Sequence, residues 1–361
     1  GEQAMPEPIP EESSMAHPTS LLLMPLAMLV ALAGSPDAPA AIIAVNSAVD
    51  QINTNGVCGL REAITAANSN VAVDSCPAGS SFVTDTITLQ NGVTYTLTRT
   101  GDDDTAINGD LDITDDLIVV GNGSTINANG AVTQDRAFHV LPGNVVEFRD
   151  LTVTGGRPGA LGGGILCLGQ LTLTGVIVSN NASVGSIGAG IAVQAGFLTL
   201  IDSSVTGNNA ASQGGGLAII AGGGAAVGSN FSNNTAGGFG GGGISLGSGF
   251  SLSLTDVNVS GNQSNTDGGG VLSAGNLTLL RTSLSGNSAG SLGGTTESGG
   301  GIHNRGTLLM TDSTLSNNSA DDSGGIFNDG GTATLVGCTI RSNNAISVGG
   351  LRNTNAGLAR L

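Results

Sequence analysis

GAGIAVQAGFLTLIDSSVTGNNAASQGGGL, residues 188–217, is the stretch from which the architecture of this chain can be read. A glycine run ends on aliphatic Ile191. Leu198-Thr199-Leu200-Ile201 then alternates with period two, which puts one face of a strand inward and the other outward. Val205 is followed three residues later by Asn208, and a second glycine run ends on Leu217, 26 residues after Ile191. One unit of structure has returned to its starting column.

Both signals recur outward from this stretch. Glycine runs end on Ile165, Ile191, Leu217, Ile244, Val271, Ile302, Ile326 and Leu351, in steps of 26, 26, 27, 27, 31, 24 and 25 residues. The apolar-x-x-Asn signal recurs in phase at Val178/Asn181, Val205/Asn208, Phe231/Asn234, Val259/Asn262, Leu284/Asn287, Leu315/Asn318 and Ile340/Asn343. Between them, alternating segments supply an inward file of Leu173, Leu200, Ala226, Leu254, Leu279, Met310 and Leu335. Thr, Ser and β-branched residues sit between these positions, as suits an exposed pleat.

A repeat of this length with about three short strands, and no 3.6-residue apolar period, describes one coil of a solenoid. The expected fold is all-β: a right-handed, single-stranded parallel β-helix with about 26 residues per coil and a short N-terminal capping helix. Coils stack at about 4.8 Å, so like residues form ladders, and a corner Asn can bond to the corner above and below. Glycine runs permit positive φ and close backbone approach at the tightest bends.

Composition agrees. Of 361 residues 61 are Gly, none is Trp, one is Tyr, and only 10% are charged. There is no Lys, and the net charge is −17. Such an acidic surface repels phosphate backbones and anionic lipid, so no nucleic-acid partner is expected. Residues 21–33, LLLMPLAMLVALA, are too short and too interrupted by Pro25 for a comfortable span. With the small residues after them they read as a leader or signal peptide over 1–41, although no Lys or Arg precedes the run. No membrane span is expected in the mature chain, which is placed outside a bacterial cell or on its surface. Residues 42–84 read as an N-terminal cap, 85–156 as irregular first coils and 157–361 as regular coils, with the natural product continuing past Leu361. Cys58 and Cys76 lie close together in the cap, and export makes a disulfide between them reasonable. Cys167 and Cys338 read as buried small apolar residues. No CxxC or His/Cys cluster suggests a metal, and no cofactor is expected.

In the cap, CGLREAITAANSN (58–70) places Leu60, Ala63, Ile64 and Ala67 on one side of a short amphipathic helix, which would cover the exposed strand edges at the end of the stack. CGLREAITAAN resembles the CSLREA-type motif that opens secreted bacterial β-helix proteins, with Gly59 in place of its usual Ser. The coils are similar to repeats of chlamydial polymorphic outer membrane proteins, with Phe231-Ser232-Asn233-Asn234 matching their FxxN pattern. These resemblances imply a secreted or surface location and adhesion. They carry over no catalytic residue.

Candidates for chemistry are few. Asp202, Asp256 and Asp312 share a column with Gly175, Gly228 and Gly337, which is turn composition, and Arg281 interrupts the series. Asp102, Asp103, Asp104, Asp110 and Asp112 offer oxygen ligands suited to Ca²⁺ but lack calcium-loop spacing, and read as a solvated acidic loop. His303, beside Asn304 and Arg305, reads as an isolated surface residue with no second His in its column. Arg281, Arg305 and Arg341 are scattered over separate coils, which disfavours a lyase. The Thr column through Thr172 and Thr199 is too broken for ice binding. The longest coil adds a polar loop, SAGSLGGTTESGG (288–300), the kind of projection where such scaffolds place function. With no catalytic, cofactor-binding or metal residue assigned, the expected function is a non-catalytic adhesive or matrix-binding scaffold whose partner is a surface glycan or a host or matrix protein. The alternatives are a polysaccharide lyase or glycoside hydrolase working in a groove along one face, and an autotransporter-like passenger. The inward file yields a first test. Leu200→Asp or Leu254→Asp should abolish folding, because an unpaired charge would be buried between coils. A soluble variant with a native circular dichroism spectrum would contradict the assignment.

Overall fold

A computed structural model describes residues 40–290 and 298–361. The expected leader lies outside these residues but for its last two positions, and 291–297 of the polar loop lie outside them as well. Among the described residues no helix is long and apolar enough to cross a membrane.

The chain is an all-β parallel solenoid of about ten turns with roughly 27 residues per turn. Each regular coil holds four short strand runs rather than three. In the coil quoted above these are Ile191–Val193, Phe197–Ile201, Ser204–Thr206 and Asn209–Ala210. Every run pairs in parallel with the equivalent run of the next coil, giving sheets of 20, 7 and 10 strands among the described residues. In two early coils the second and third runs are a single strand, Leu117–Asn127 and Val145–Thr154. Later coils divide them next to one left-handed residue, Gly175, Asp202, Gly228, Asp256, Arg281, Asp312 or Gly337, with φ between 47° and 64°, a column in which Asp150 within Val145–Thr154 is already left-handed at 48°. Positive φ costs least for Gly and is tolerated by Asp, which accounts for the Gly/Asp alternation in that column. The three aspartates are exposed. Arg281 does not break the column's logic, because its Nε and Nη2 each reach an Asp256 oxygen at 2.7 Å in the adjoining coil.

Register follows the repeat. Leu173 pairs with Leu200, then Ala226, Leu254, Leu279, Met310 and Leu335 in succession, and none of the seven is more than 5% exposed. The glycine runs divide their labour. Gly214 has φ +66°, whereas a Cβ on Gly215 would lie 2.4 Å from the Thr235 carbonyl oxygen. The first position needs glycine for conformation and the second for clearance.

The asparagines sit inside the corner. Asn181, Asn208, Asn234, Asn262, Asn287 and Asn318 are at most 1% exposed, and Asn343 is half-buried. Each Oδ1 from Asn208 onward accepts both the backbone N–H and the side-chain Nδ2–H of the preceding Asn, at 2.9–3.1 Å. Each Nδ2 also donates to the carbonyl of the apolar residue one coil back, as Asn208 does to Val178 and Asn234 to Val205. The apolar-x-x-Asn spacing is therefore the imprint of a bond between neighbouring coils. A second ladder, absent from the sequence reading, joins Asn304 to Asn328 at 2.7 Å and Asn328 to Asn353 at 2.6 Å. It occupies the inward position that Val193, Ile219 and Leu246 hold in earlier coils.

At the other end of the stack, Ile42–Ala44 already pairs in parallel with Asp85–Thr88, so strand stacking begins ahead of the helix. The helix Leu60–Ser69 buries more than its apolar side, for Arg61 is 1% and Glu62 0% exposed. Glu62 accepts from the Gly59 and Asn53 backbone N–H groups, capping its own helix. Arg61 donates to Asp50 and to the carbonyls of Ala106, Gly109 and Asp110. Burial alone would raise the Asp50 pKa, but Arg61 and the Thr98 and Arg99 N–H groups hold it below the usual range. Asn68 completes the cap. Its Nδ2 donates to the Asp112 carbonyl and its Oδ1 accepts from the Thr114 N–H, so one side chain satisfies the free edge of the strand Leu111–Ile113. Cys58 and Cys76 are joined by a disulfide with Cα atoms 4.9 Å apart. Cys167 and Cys338 are free. Cys167 is buried and its thiol is pushed up to about 12 by desolvation, whereas Cys338 is only half-buried, against expectation, because it lies in one of the last coils.

Asn234→Ala should strip partners from the Asn208 backbone N–H and side chain and from the Val205 carbonyl. At about 1–3 kcal/mol per buried orphan group, a loss of several kcal/mol is expected in urea unfolding. A change below about 1 kcal/mol would show that the ladder does not bear on stability.

A candidate binding groove

The first run of most coils has three residues, and in the last two a fourth follows them. Of the three, the outer two face the interior and the middle one faces out, yet in most coils the middle one is also buried. These middle residues form one file: Asp112, His139, Leu166, Ala192, Ala218, Ser245, Leu272, His303, Phe327 and Arg352. The turn entering the run and the residue leaving it rise on either side, making the file the floor of a groove. Small floor residues, Ala218 and Ser245, open a cavity of about 250 Å³. Ile187 and Gln213 line one wall, Ile220, Gly247 and Ala274 the other, and Arg305 stands at one end. The Ser245 hydroxyl donates to Gln213 Oε1 at 3.2 Å, joining floor to wall.

His303, expected to be a solitary surface residue, is 2% exposed at the end of this groove. Its Nδ1 is 3.4 Å from Asp267 and its Nε2 3.6 Å from Asp329, and neither nitrogen makes a hydrogen bond. The Phe327 ring meets it edge-on at 5.0 Å. Arg305 crosses above it from one wall, with Nη2 and Nε each 3.3 Å from the Asp267 and Asp329 carboxylates. Of the scattered arginines only Arg305 is here, meeting two aspartates and a histidine drawn from three coils, while Arg281 pairs with Asp256 elsewhere. Burial tends to raise the Asp267 pKa, but His303, the Ser298 N–H and Arg305 outweigh it and hold the group below its ordinary value. Asp329 is likewise raised by burial and lowered further by Asn355, His303 and Arg305. Both carboxylates are therefore ionised at neutral pH. One guanidinium reaches both, so they stand no more than about 9 Å apart.

His139 lies in the same file as His303, correcting the expectation that no second His shares its column. Six register steps separate them, roughly 29 Å at about 4.8 Å per step. The acidic stretch beside it is a solvated loop only in part, for Asp102 and Asp104 are exposed. Asp110 and Asp112 are 1% and 0% exposed, while Asp103 organises the turn by accepting from the Thr105, Ile107 and Asn108 N–H groups. Burial and the charge of Asp112 push Asp110 up to about 8, against the pull of Arg136 at 2.7 Å. Asp112 is raised by burial and pulled back by His139 and the Ala106 N–H.

From Leu166 to Leu272 the floor is neutral, and over that length the groove can accept a narrow, extended ligand. At the His303 end neither carboxyl is raised toward neutrality and Arg305 is held by both aspartates, whereas at the far end of the file Asp112 is raised by burial. Because the folded-state pKa values of Asp267 and Asp329 are depressed, their contribution to stability is present above about pH 3.8 and disappears as pH falls through the lowered values. Asp267→Asn should therefore melt below wild type at pH 6, with the two melting temperatures converging near pH 2. Equal separation at both pH values would refute the ionic role.

No protein-family model matches the chain, and neither does any curated protein. Among solved structures, the crystal structure of pectate lyase Pel9A is similar at 15% sequence identity, with a TM-score of 0.47 over 84% of this chain and 77% of that one.

Proposed function

We propose that this chain is an extracellular or cell-surface β-helix scaffold that binds an extended glycan along the groove of its first-run face without cleaving it. The observation that carries the reading is a neutral, small-residue floor whose flanking carboxylates, Asp267 and Asp329, are both ionised and both engaged by Arg305. Cleavage by hydrolysis needs a proton donor beside the scissile bond, and cleavage by elimination needs an available cation and base. Among the described residues at the His303 end of this groove neither is free. Asp110 and Asp112 are raised, but both are fully buried at the far end of the file, Asp110 paired with Arg136 and Asp112 held by His139 and the Ala106 N–H. The Cys58–Cys76 disulfide supports an oxidising, extracellular setting. A matrix or host protein bearing such glycans would be held in the same way.

A polysaccharide-cleaving enzyme is the second reading, favoured by one observation: His303, Arg305, Asp267 and Asp329 meet at a single point of the groove. Calorimetry and product analysis on a panel of neutral and acidic polysaccharides separate the two. We expect saturable binding to at least one polymer, a loss of at least tenfold in Ala218→Trp, which fills the floor, and no new reducing or unsaturated ends. Turnover that disappears in Arg305→Ala would overturn the non-catalytic reading. Binding unaffected by Ala218→Trp would remove the groove from it.

A further inference from the structure

We infer that Asp104, Asp112 and His139 form a binding site for one first-row divalent cation, of the manganese or zinc kind, at the end of the first-run face far from Arg305. One donor atom from each residue lies within 4.8 Å of the other two. His139 Nδ1 is 3.2 Å from Asp112 Oδ1 and 3.6 Å from Asp104 Oδ1. An ion bound at about 2.1 Å to each donor requires neighbouring donors to stand about 3.0–3.4 Å apart, in octahedral or tetrahedral arrangement. The two separations already approximate that spacing.

The scaffold holds these groups for reasons independent of any ion. Asp112 and His139 are register partners on adjoining strands. The second oxygen of Asp112, Oδ2, is fixed by the Ala106 N–H at 3.0 Å, the kind of outer contact that orients a metal-binding carboxylate. Asp103 draws in the backbone N–H groups of the turn and so sets the position of Asp104. That side chain is 72% exposed, which leaves an entry path and room for water at the remaining coordination positions.

An ordinary histidine–aspartate hydrogen bond would account for the 3.2 Å contact alone. It does not account for a second carboxylate on the same ring nitrogen. Nor does it explain Asp110, which shares a face with Asp112 two residues on, is 1% exposed, and keeps Oδ1 without a hydrogen-bond partner. Buried carboxylate oxygens are normally satisfied; Asp110 has Arg136 on its Oδ2 at 2.7 Å, yet its Oδ1 stays open beside Asp112, whose own cationic partner is the imidazole alone. One imidazole with carboxylate oxygens suits manganese or zinc better than calcium or magnesium, which prefer all-oxygen shells.

The test uses the full chain, stripped with chelator and dialysed, titrated separately with Mn²⁺, Zn²⁺ and Ca²⁺ by calorimetry. We expect one ion per chain for Mn²⁺ or Zn²⁺ with micromolar Kd, at least tenfold weaker Ca²⁺, and a rise in melting temperature on loading. Asp104→Asn, at an exposed side chain with little bearing on folding, should weaken binding at least tenfold while leaving the unloaded melting temperature unchanged. His303→Gln, in the other cluster of the file, should bind as wild type. No stoichiometric binding, undiminished binding by Asp104→Asn, or Ca²⁺ preferred over both other ions would overturn the assignment.

Discussion

Everything in this molecule depends on the parallel hydrogen-bond ladder between coils. A backbone that pairs only with the coil above and the coil below has no local means of closing on itself, so each turn is held by its neighbours. Equivalent residues must then lie on one another. Leucine meets leucine in the interior file, and asparagine meets asparagine at the corner. The buried amides suit such stacking because an amide is both donor and acceptor. Each Oδ1 can serve the coil before it while each Nδ2 reaches back for an apolar residue's carbonyl. A hydroxyl could not reach both, and a carboxylate would have no proton to give.

Ends are the weak point of such a stack, since the terminal strand has unpaired N–H and C=O groups. The N-terminal helix answers with specific bonds as well as with bulk. Asn68 stands in for a missing strand on Leu111–Ile113, and the buried Arg61 gathers three carbonyls and Asp50 into one knot. Loss of that guanidinium would strand several acceptors together, which is why a buried charge is tolerable here only as part of a saturated network. The Cys58–Cys76 bridge ties the segment ahead of the helix to the segment after it.

The outer face of the first run is a groove because short turns rise on both of its sides, and its chemistry varies along the axis. The middle is small and neutral, with Ala192, Ala218 and Ser245. Each end carries a histidine between aspartates, at His139 and at His303. The two ends differ in what balances the acids. At His303 an arginine spans both carboxylates, while at the His139 end Arg136 serves Asp110, and Asp104 and Asp112 face the imidazole.

The solenoid, its coil length and its inward leucine file were legible in the sequence, because a period-two strand within a coil-length repeat admits little else that buries its apolar face. The apolar-x-x-Asn signal was legible for the same reason, although its meaning as an inter-coil bond was not. What only the tertiary structure decided concerns residues whose neighbours lie a coil or more away. His139 could not be counted into the file of His303, since Phe138–Val140 follows Asp-Arg-Ala where later coils have glycines. The burial of Asp110, Asp112, Arg61 and His303 depends on the walls and loops that adjoining coils raise around them. Composition reads charged residues as solvated; stacking, which brings residues two dozen or more positions apart within hydrogen-bond reach, decides which of them are not.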